Sequence, residues 1–267
     1  SPVSASSQPF NPMGTDGFEF VEYAHVKPKV LEELFLHLGF VAIAKHRTKD
    51  VTLYRQGDVN FILNAQPQSH AERFFSAHGP SANAMAFRVK DVNHALDWAR
   101  QQGAHIVESD RVGPMELHIP AIRGIGGSLI YLVDRYGPGR SIYDIDFIPI
   151  EGVDQHPKGV GLTYIDHLTH NVYRGNMDEW AGFYERIFNF REIRYFDIEG
   201  KLTGLKSKAM TSPCGKIRIP INESSDDKSQ IEEYLREYRG EGIQHIAMAT
   251  DNIYETVETL RARGVSF

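Results

Sequence analysis

The sequence repeats one unit along its length, and this repetition limits the possible fold more than any other feature. An offset of 161 residues (252 − 91) places Asn252 on Asp91, and the apolar faces of the two following helical segments then coincide. A looser match places residues 164–168 on residues 20–24. Each copy begins with a strand-like segment and continues with an amphipathic helix and further strands. The sequence therefore predicts four βαβββ units, the fourth cut short at Phe267.

The pairing of such units determines the expected fold class. A single βαβββ unit leaves a curled sheet with open edges, and two units side by side cover each other. We therefore predict an α+β fold with two open, barrel-like domains, the second of them truncated. The expected divisions are a disordered leader over residues 1–15, a first domain over 16–155 and a second over 156–267. Residues 230–238 predict an additional helix without a counterpart in the first half.

Composition narrows the classes of partner and location. The formal net charge is −6, and no long basic run is present, which argues against nucleic acid or an anionic membrane as the main partner. No apolar stretch is long enough to span a bilayer, and the first residues do not have the pattern of a signal peptide. The single cysteine, Cys214, cannot form a disulfide framework within the chain. These features predict a cytoplasmic protein.

Two histidines are candidate metal ligands because each lies in the opening strand of its unit. The looser match places His167 opposite Tyr23, and the stronger match places His245 opposite Ala84, so neither has a histidine partner in the first half. Two imidazoles and one carboxylate on one face leave positions on iron(II) open for substrate and dioxygen. The sequence thus indicates a metal site in the second half and a structural copy of it in the first.

The alternative is that both residues are ordinary, half-buried strand histidines, since the chain contains 12 histidines. His170 is not a candidate, because strand alternation points it away from the face of His167. Thr169 and Asn171 share that face with His167. Spacing alone leaves the two interpretations open.

Several segments resemble the bacterial type of 4-hydroxyphenylpyruvate dioxygenase. In the second half they are YIDHLTHNV (164–172), NFRE (189–192), YFDI (195–198), RIPINE (218–223) and GIQHIA (242–247). In the first half they are LYRQG (53–57), GPMEL (113–117) and SIYDIDF (141–147). The resemblance extends over nearly the whole chain after the leader.

The resemblance implies the vicinal oxygen chelate fold, with a catalytically silent first barrel and an active second one. It implies iron(II) bound by His167, His245 and a glutamate that lies beyond the end of this sequence. Within the repeat, that glutamate would correspond to Tyr131. It also implies four residues that line or support the substrate pocket: Ser207, Asn222, Gln230 and Gln244. Regular strand alternation would put Gln244 and His245 on opposite faces, which weakens the expectation for Gln244.

The implied reaction converts 4-hydroxyphenylpyruvate, a 2-oxo acid, and dioxygen to homogentisate and CO₂ in tyrosine catabolism. Without the third ligand, the 267-residue chain is expected to bind iron weakly and to be inactive. Family resemblance further implies a homodimer or homotetramer. Two alternatives stay open, namely a synthase of 4-hydroxymandelate and a metal-free binding protein on the same fold.

Overall fold

The computed structural model describes residues 9–107, 119–193, 205–227 and 229–266. Its strands are β1 (Thr15–Ala24), β2 (Val41–His46), β3 (Val51–Gln56), β4 (Val59–Asn64), β5 (Ser81–Val89), β6 (Ile106–Val107), β7 (Ala121–Arg123), β8 (Leu129–Val133), β9 (Phe147–Pro149), β10 (Leu162–Val172), β11 (Arg191–Ile193), β12 (Leu205–Thr211), β13 (Arg218–Ser224) and β14 (Gly242–Thr250). Its α-helices are α1 (Pro28–His37), α2 (His70–His78), α3 (Val92–Gln101), α4 (Tyr143–Asp146), α5 (Met177–Phe188), α6 (Gln230–Tyr238) and α7 (Ile253–Ala262). No helix in the described ranges is long and apolar enough to cross a membrane.

Two mixed sheets carry the repeated units. The larger has the strand order β6-β7-β8-β5-β1-β4-β3-β2-β9, and the smaller has the order β11-β12-β13-β10-β14. The opening strands β1 and β5 pair antiparallel at the centre of the first sheet. The opening strands β10 and β14 of the second sheet also pair antiparallel. The predicted α+β class and the paired βαβββ architecture are confirmed, and both sheets are open among the described residues. The quoted segments 113–117 and 195–198 lie outside the described residues.

β-bulges correct the alignment of the opening strands. An extra residue interrupts the pairing at Glu19 in β1 and at Asp166 in β10, which gives an offset of 147 (166 − 19). The structural repeat therefore places His167 on Phe20. The looser sequence match, which placed His167 on Tyr23, was wrong by three residues.

A second pair of bulges lies at Asn83 in β5 and at Gln244 in β14. Their offset of 161 (244 − 83) equals the offset read from the sequence, and it keeps His245 opposite Ala84. Both opening strands of the second half thus carry a histidine where the first half carries an apolar residue.

Helix α2 corrects the prediction that α6 has no counterpart. Both helices have nine residues and join the last strand of one unit to the first strand of the next. Both also begin with the same cap, because Ser69 accepts a hydrogen bond from the backbone of Glu72 and Ser229 accepts one from Glu232. Gln230, the first residue of α6, therefore corresponds to His70.

One buried apolar core runs through both halves. The ring of Phe87 in β5 lies 5.4 Å from that of Phe188 in α5. Trp98 in α3 donates its indole N–H to the carbonyl of Ile187 over 2.8 Å. Packing of α3 against α5 therefore joins the two halves behind their sheets.

The β3–β4 turn fixes the chain where it enters β10. Gly57 N donates to Pro157 O over 2.9 Å, and Asp58 N donates to Thr163 O over 2.7 Å. A Cβ atom on Gly57 would lie 2.4 Å from Leu162 O, and its φ of +53° favours glycine. The first half thus fixes the start of β10, the strand that carries His167.

Candidate functional site

The rings of His167 and His245 lie together on adjacent strands. Their centroids are 5.8 Å apart, and the ring planes cross at 74°. In the ladder, Thr169 is directly opposite His245 and Ala247 is opposite His167, so the two histidines are diagonal neighbours on one face. The two imidazoles predicted from the sequence are therefore brought to one place, although 78 residues separate them along the chain (245 − 167).

Helix α5 identifies the face on which the histidines lie. His170 Nε2 is 2.6 Å from the hydroxyl of Tyr184, a residue of α5. The side chains that alternate with His170 therefore project away from this helix, and they include His167, Thr169 and Asn171. His170 is fully buried, and burial lowers its pKa to about 3, which is the behaviour of a neutral core histidine.

His245 has a polar partner in its own sheet. Its Nε2 lies 2.8 Å from the hydroxyl of the buried Thr169. Partial burial, and then the neighbouring His167, lower the pKa of His245. A depressed pKa keeps the imidazole neutral, and a neutral imidazole is the form that binds a metal ion.

His167 has a carboxylate beside it. The Nδ1 atom of His167 lies 2.8 Å from one oxygen of Asp166, and the other oxygen accepts a hydrogen bond from Arg218 over 2.9 Å. Sequence reasoning missed both Asp166 and Arg218, since adjacent residues of a regular strand point to opposite faces. The bulge at Asp166 allows this contact.

A row of polar residues continues the histidine face across the sheet. Ser207 pairs with Asn222, and Asn222 pairs with Asn171, so the three side chains share one side of three adjacent strands. Asn171 is completely buried, and neither atom of its amide has a hydrogen-bond partner in the described structure. Ser207 and Asn222 therefore lie on the histidine face, with Asn171 as a neighbour that the sequence did not assign to the pocket.

Gln230 and Gln244 are the other two residues expected at the pocket. Gln230 begins α6 directly after the cap, and its side chain is exposed. Gln244 is the extra residue of the β14 bulge, and both it and His245 are exposed. Because a bulge interrupts strand alternation, the argument against a common face for Gln244 and His245 does not apply here.

The first half shows how close these repeat positions are. Glu22 accepts hydrogen bonds from Asn83 over 2.6 Å and from Asn64 over 3.3 Å, and Asn83 lies 3.4 Å from Nδ1 of His70. In the repeat, Glu22, Asn64, His70 and Asn83 correspond to Thr169, Asn222, Gln230 and Gln244, in that order. The first half therefore brings side chains at these positions into a single cluster.

The first half also contains a counterpart of the third ligand position. Phe20, Ala84 and Tyr131 occupy the positions of His167, His245 and the expected glutamate, and they belong to one buried cluster. The rings of Phe20 and Tyr131 are 5.8 Å apart. The position equivalent to Tyr131 would be residue 292 (131 + 161), beyond the printed sequence. Within the described residues, no group of three or more His, Cys, Asp or Glu side chains could hold a metal ion.

Comparison with known proteins identifies the family. Residues 10–148 match the family described as hydroxyphenylpyruvate dioxygenase, N-terminal, which is more than half of the chain. The chain belongs to the 4-hydroxyphenylpyruvate dioxygenase family. Residues 164–267 match the glyoxalase/bleomycin resistance protein/dioxygenase superfamily. The resemblance read from the sequence motifs is thus confirmed.

Relatives within the dioxygenase family extend over nearly the whole chain. The 4-hydroxyphenylpyruvate dioxygenase of Pseudomonas aeruginosa is 62% identical over 266 residues, which are 98% of this chain and 74% of that protein. A Vibrio vulnificus protein named hemolysin VllY is 65% identical over 262 residues, 96% of this chain and 73% of that protein.

Solved structures have the same fold. A fusion protein of a xylose isomerase-like TIM barrel and a 4-hydroxyphenylpyruvate dioxygenase superposes with a TM-score of 0.81 at 37% identity, over 99% of this chain and 41% of that one. A mutant of 4-hydroxymandelate synthase from Streptomyces coelicolor superposes with a TM-score of 0.79 at 23% identity, over 95% of this chain and 77% of that one. The vicinal oxygen chelate fold predicted from the repeat and the motifs is consistent with both.

Proposed function

We propose that this dioxygenase-family chain converts 4-hydroxyphenylpyruvate and dioxygen to homogentisate and CO₂, with iron(II) as its metal. The observation that carries the proposal is the pair of imidazoles, His167 and His245, which lie 5.8 Å apart on one face of the second sheet. The names of the relatives support the substrate, because several are 4-hydroxyphenylpyruvate dioxygenases at 52–62% identity.

The donor set suits iron(II). Two neutral nitrogen ligands and one carboxylate form a facial triad, and bound iron(II) with open positions supplies the reactivity toward dioxygen. His167 and His245 would provide the nitrogens. We assign the carboxylate to the glutamate expected at the repeat position of Tyr131, beyond residue 267.

The polar residues of the same face would bind the organic substrate. Ser207 and Asn222 lie side by side in the sheet and can hydrogen-bond the phenolic end of the substrate. Gln230 and Gln244 would approach from α6 and from the bulge, as their counterparts do in the first half. Loss of one such hydrogen bond is expected to cost about 0.5–1.5 kcal/mol of binding free energy.

Metal content tests the assignment of the ligands. In a chain that carries the third ligand, we expect His167→Ala to lower the iron(II) retained per chain after anaerobic reconstitution. The exposed His94 on α3 provides the control, and His94→Ala should retain as much iron as the wild type. Equal iron in the wild type and in His167→Ala would exclude a ligand role for His167 and would favour a metal-free binding protein.

Product analysis tests the reaction. Incubation of 4-hydroxyphenylpyruvate with a chain that carries the third ligand should yield homogentisate. Formation of 4-hydroxymandelate instead would support the synthase reaction named for the structural neighbour. Turnover by residues 1–267 alone would contradict the assignment of a glutamate outside them. Three further expectations belong to the same proposal: a cytoplasmic location from the composition, the domain division between residues 155 and 156 from the repeat, and assembly into dimers or tetramers from the family resemblance.

A further inference from the structure

Asp166 and Arg218 form a hydrogen-bonded chain that ends on His167. One oxygen of Asp166 is 2.8 Å from His167 Nδ1, and the other is 2.9 Å from a guanidinium nitrogen of Arg218. The geometry points to Asp166 as a positioning residue that, held by Arg218, fixes the His167 ring so that Nε2 faces the metal. This inference deepens the proposed function and rests on it.

The hydrogen-bonding capacity of the groups gives the direction. A carboxylate can only accept hydrogen bonds, so the hydrogen in the Asp166–His167 contact belongs to Nδ1 of the ring. In a neutral imidazole the other nitrogen, Nε2, then carries the free lone pair. A partner that accepts from one ring nitrogen therefore selects both the tautomer and the ring orientation needed for ligation by the other.

The backbone provides the contact through an irregularity in β10. In a regular strand, Asp166 and His167 would project to opposite faces. The bulge inserts Asp166 between the paired residues Ile165 and His167, which face Met248 and Ala247. Asp166 can consequently turn back to the neighbouring ring.

The first half provides an internal comparison. Its bulge also carries a carboxylate, Glu19, which accepts from Asn60 at the repeat position of Arg218. Glu19 further contacts Arg88 at 3.3 Å and the hydroxyl of Tyr143 at 3.2 Å. Its neighbour at the ligand position is Phe20, which offers no nitrogen. Both halves thus have a carboxylate at the bulge that accepts a hydrogen bond from the strand closing the unit, β4 or β13. Only the second half adds an imidazole beside this carboxylate.

A simple ion pair between Asp166 and Arg218 is the competing explanation, because both side chains are partly exposed. The two explanations differ in what happens at the ring of His167. An ion pair without a positioning role would leave the His167 tautomer unchanged when Asp166 is replaced. A positioning role requires the tautomer to change.

The first measurement uses the metal-free 267-residue chain labelled with ¹⁵N at histidine. Long-range ¹H–¹⁵N correlation spectra report which ring nitrogen carries hydrogen. We expect His167 of the wild type to be protonated at Nδ1 and Asp166→Leu to shift the ring toward protonation at Nε2. The control is Asp178→Leu, which removes another carboxylate–cation pair, the 2.8 Å contact of Asp178 with Lys208, and should leave the His167 signals unchanged.

The second measurement is the affinity for Co²⁺, titrated into the wild type and the same two variants of a chain that carries the third ligand. Loss of a partner that orients a metal-binding histidine typically weakens binding roughly 10- to 100-fold, and we expect this loss for Asp166→Leu only. Circular dichroism spectra that match the wild type will show that each variant is folded. Arg218→Met should give a smaller loss in the same direction, since it leaves the carboxylate in place but removes its support.

The outcomes separate this inference from the proposed function. An unchanged His167 tautomer and unchanged Co²⁺ affinity in Asp166→Leu would overturn the positioning role, and the metal site would stand. A tautomer that changes as expected in a chain whose Co²⁺ binding does not depend on His167 would overturn the proposed metal site, and the hydrogen-bond assignment would stand.

Discussion

Glu22 offers the most quantitative test of the structure, because a fully buried carboxyl links folding to pH. One of its oxygens accepts hydrogen bonds from Asn83 and Asn64, and the other has no partner in the described structure. Burial, opposed by these two hydrogen bonds, raises the pKa of Glu22 to about 7. Ionisation is therefore harder in the folded chain than in the unfolded one.

The magnitude follows from linkage between protonation and folding. With a folded pKa of about 7 against an ordinary value of 4.5, Glu22 contributes stability that is fully present below about pH 4.5. That contribution is lost as the pH rises through 7. The difference between the two pKa values corresponds to about 3 kcal/mol of unfolding free energy.

The perturbation is Glu22→Gln, which keeps the shape of the side chain and removes its titration. Its carbonyl oxygen can accept from the same two amides, and its NH₂ group takes the place of the oxygen without a partner. We expect the stability of the variant relative to the wild type to increase by about 2.5 kcal/mol between pH 5 and pH 8.

Urea unfolding followed by circular dichroism at pH 5, 6, 7 and 8 measures this difference. The exposed Glu33 on α1 provides the control, and Glu33→Gln should show no such increase relative to the wild type. A difference between Glu22→Gln and the wild type that stays constant across this pH range would refute the reasoning.

Four further substitutions test local features by thermal unfolding. Asn171→Ala should raise the unfolding temperature of the ligand-free chain, because it removes a buried amide without hydrogen-bond partners. Ala24→Asn, the reverse change at the repeat position, should lower the free energy of unfolding by about 1–3 kcal/mol. The opposite signs would contradict the burial of an unpaired amide. Ser229→Ala should cost about 1 kcal/mol through loss of the α6 cap, and an unchanged unfolding temperature would show that the cap is dispensable. Thr256→Val should cost about 1–3 kcal/mol because its hydroxyl donates to Val160 O over 2.8 Å, and a smaller loss would mean that water replaces this bond.

The sequence predicted the fold where local signals were strong. The offset between the second and fourth units was correct, because Asp91 and Asn252 are both helix caps that can be recognised by residue type. The match of the opening strands was wrong, since a bulge such as that at Glu19 depends on the partner strand and leaves no mark in the strand itself. Helix α2 was missed, although the spacing of Ser69 and Glu72 is a capping signal that could have located its start.

The two histidines of the candidate site were predictable from the sequence, but the residues that contact or surround them were not. His167 and His245 stood out because the other half lacks histidine at the same positions, a comparison that survived the corrected alignment. Asp166 could not be assigned from alternation, which places it on the wrong face. Asn171 shares the predicted face, but only coordinates show that its amide is buried without partners.

The turn between β3 and β4 makes the second half of the molecule depend on the shape of the first. Because Gly57 and Asp58 donate hydrogen bonds to the backbone on either side of the start of β10, the first half constrains the strand that carries His167. Substitutions that change the shape of this turn should therefore displace β10 and alter the position of His167.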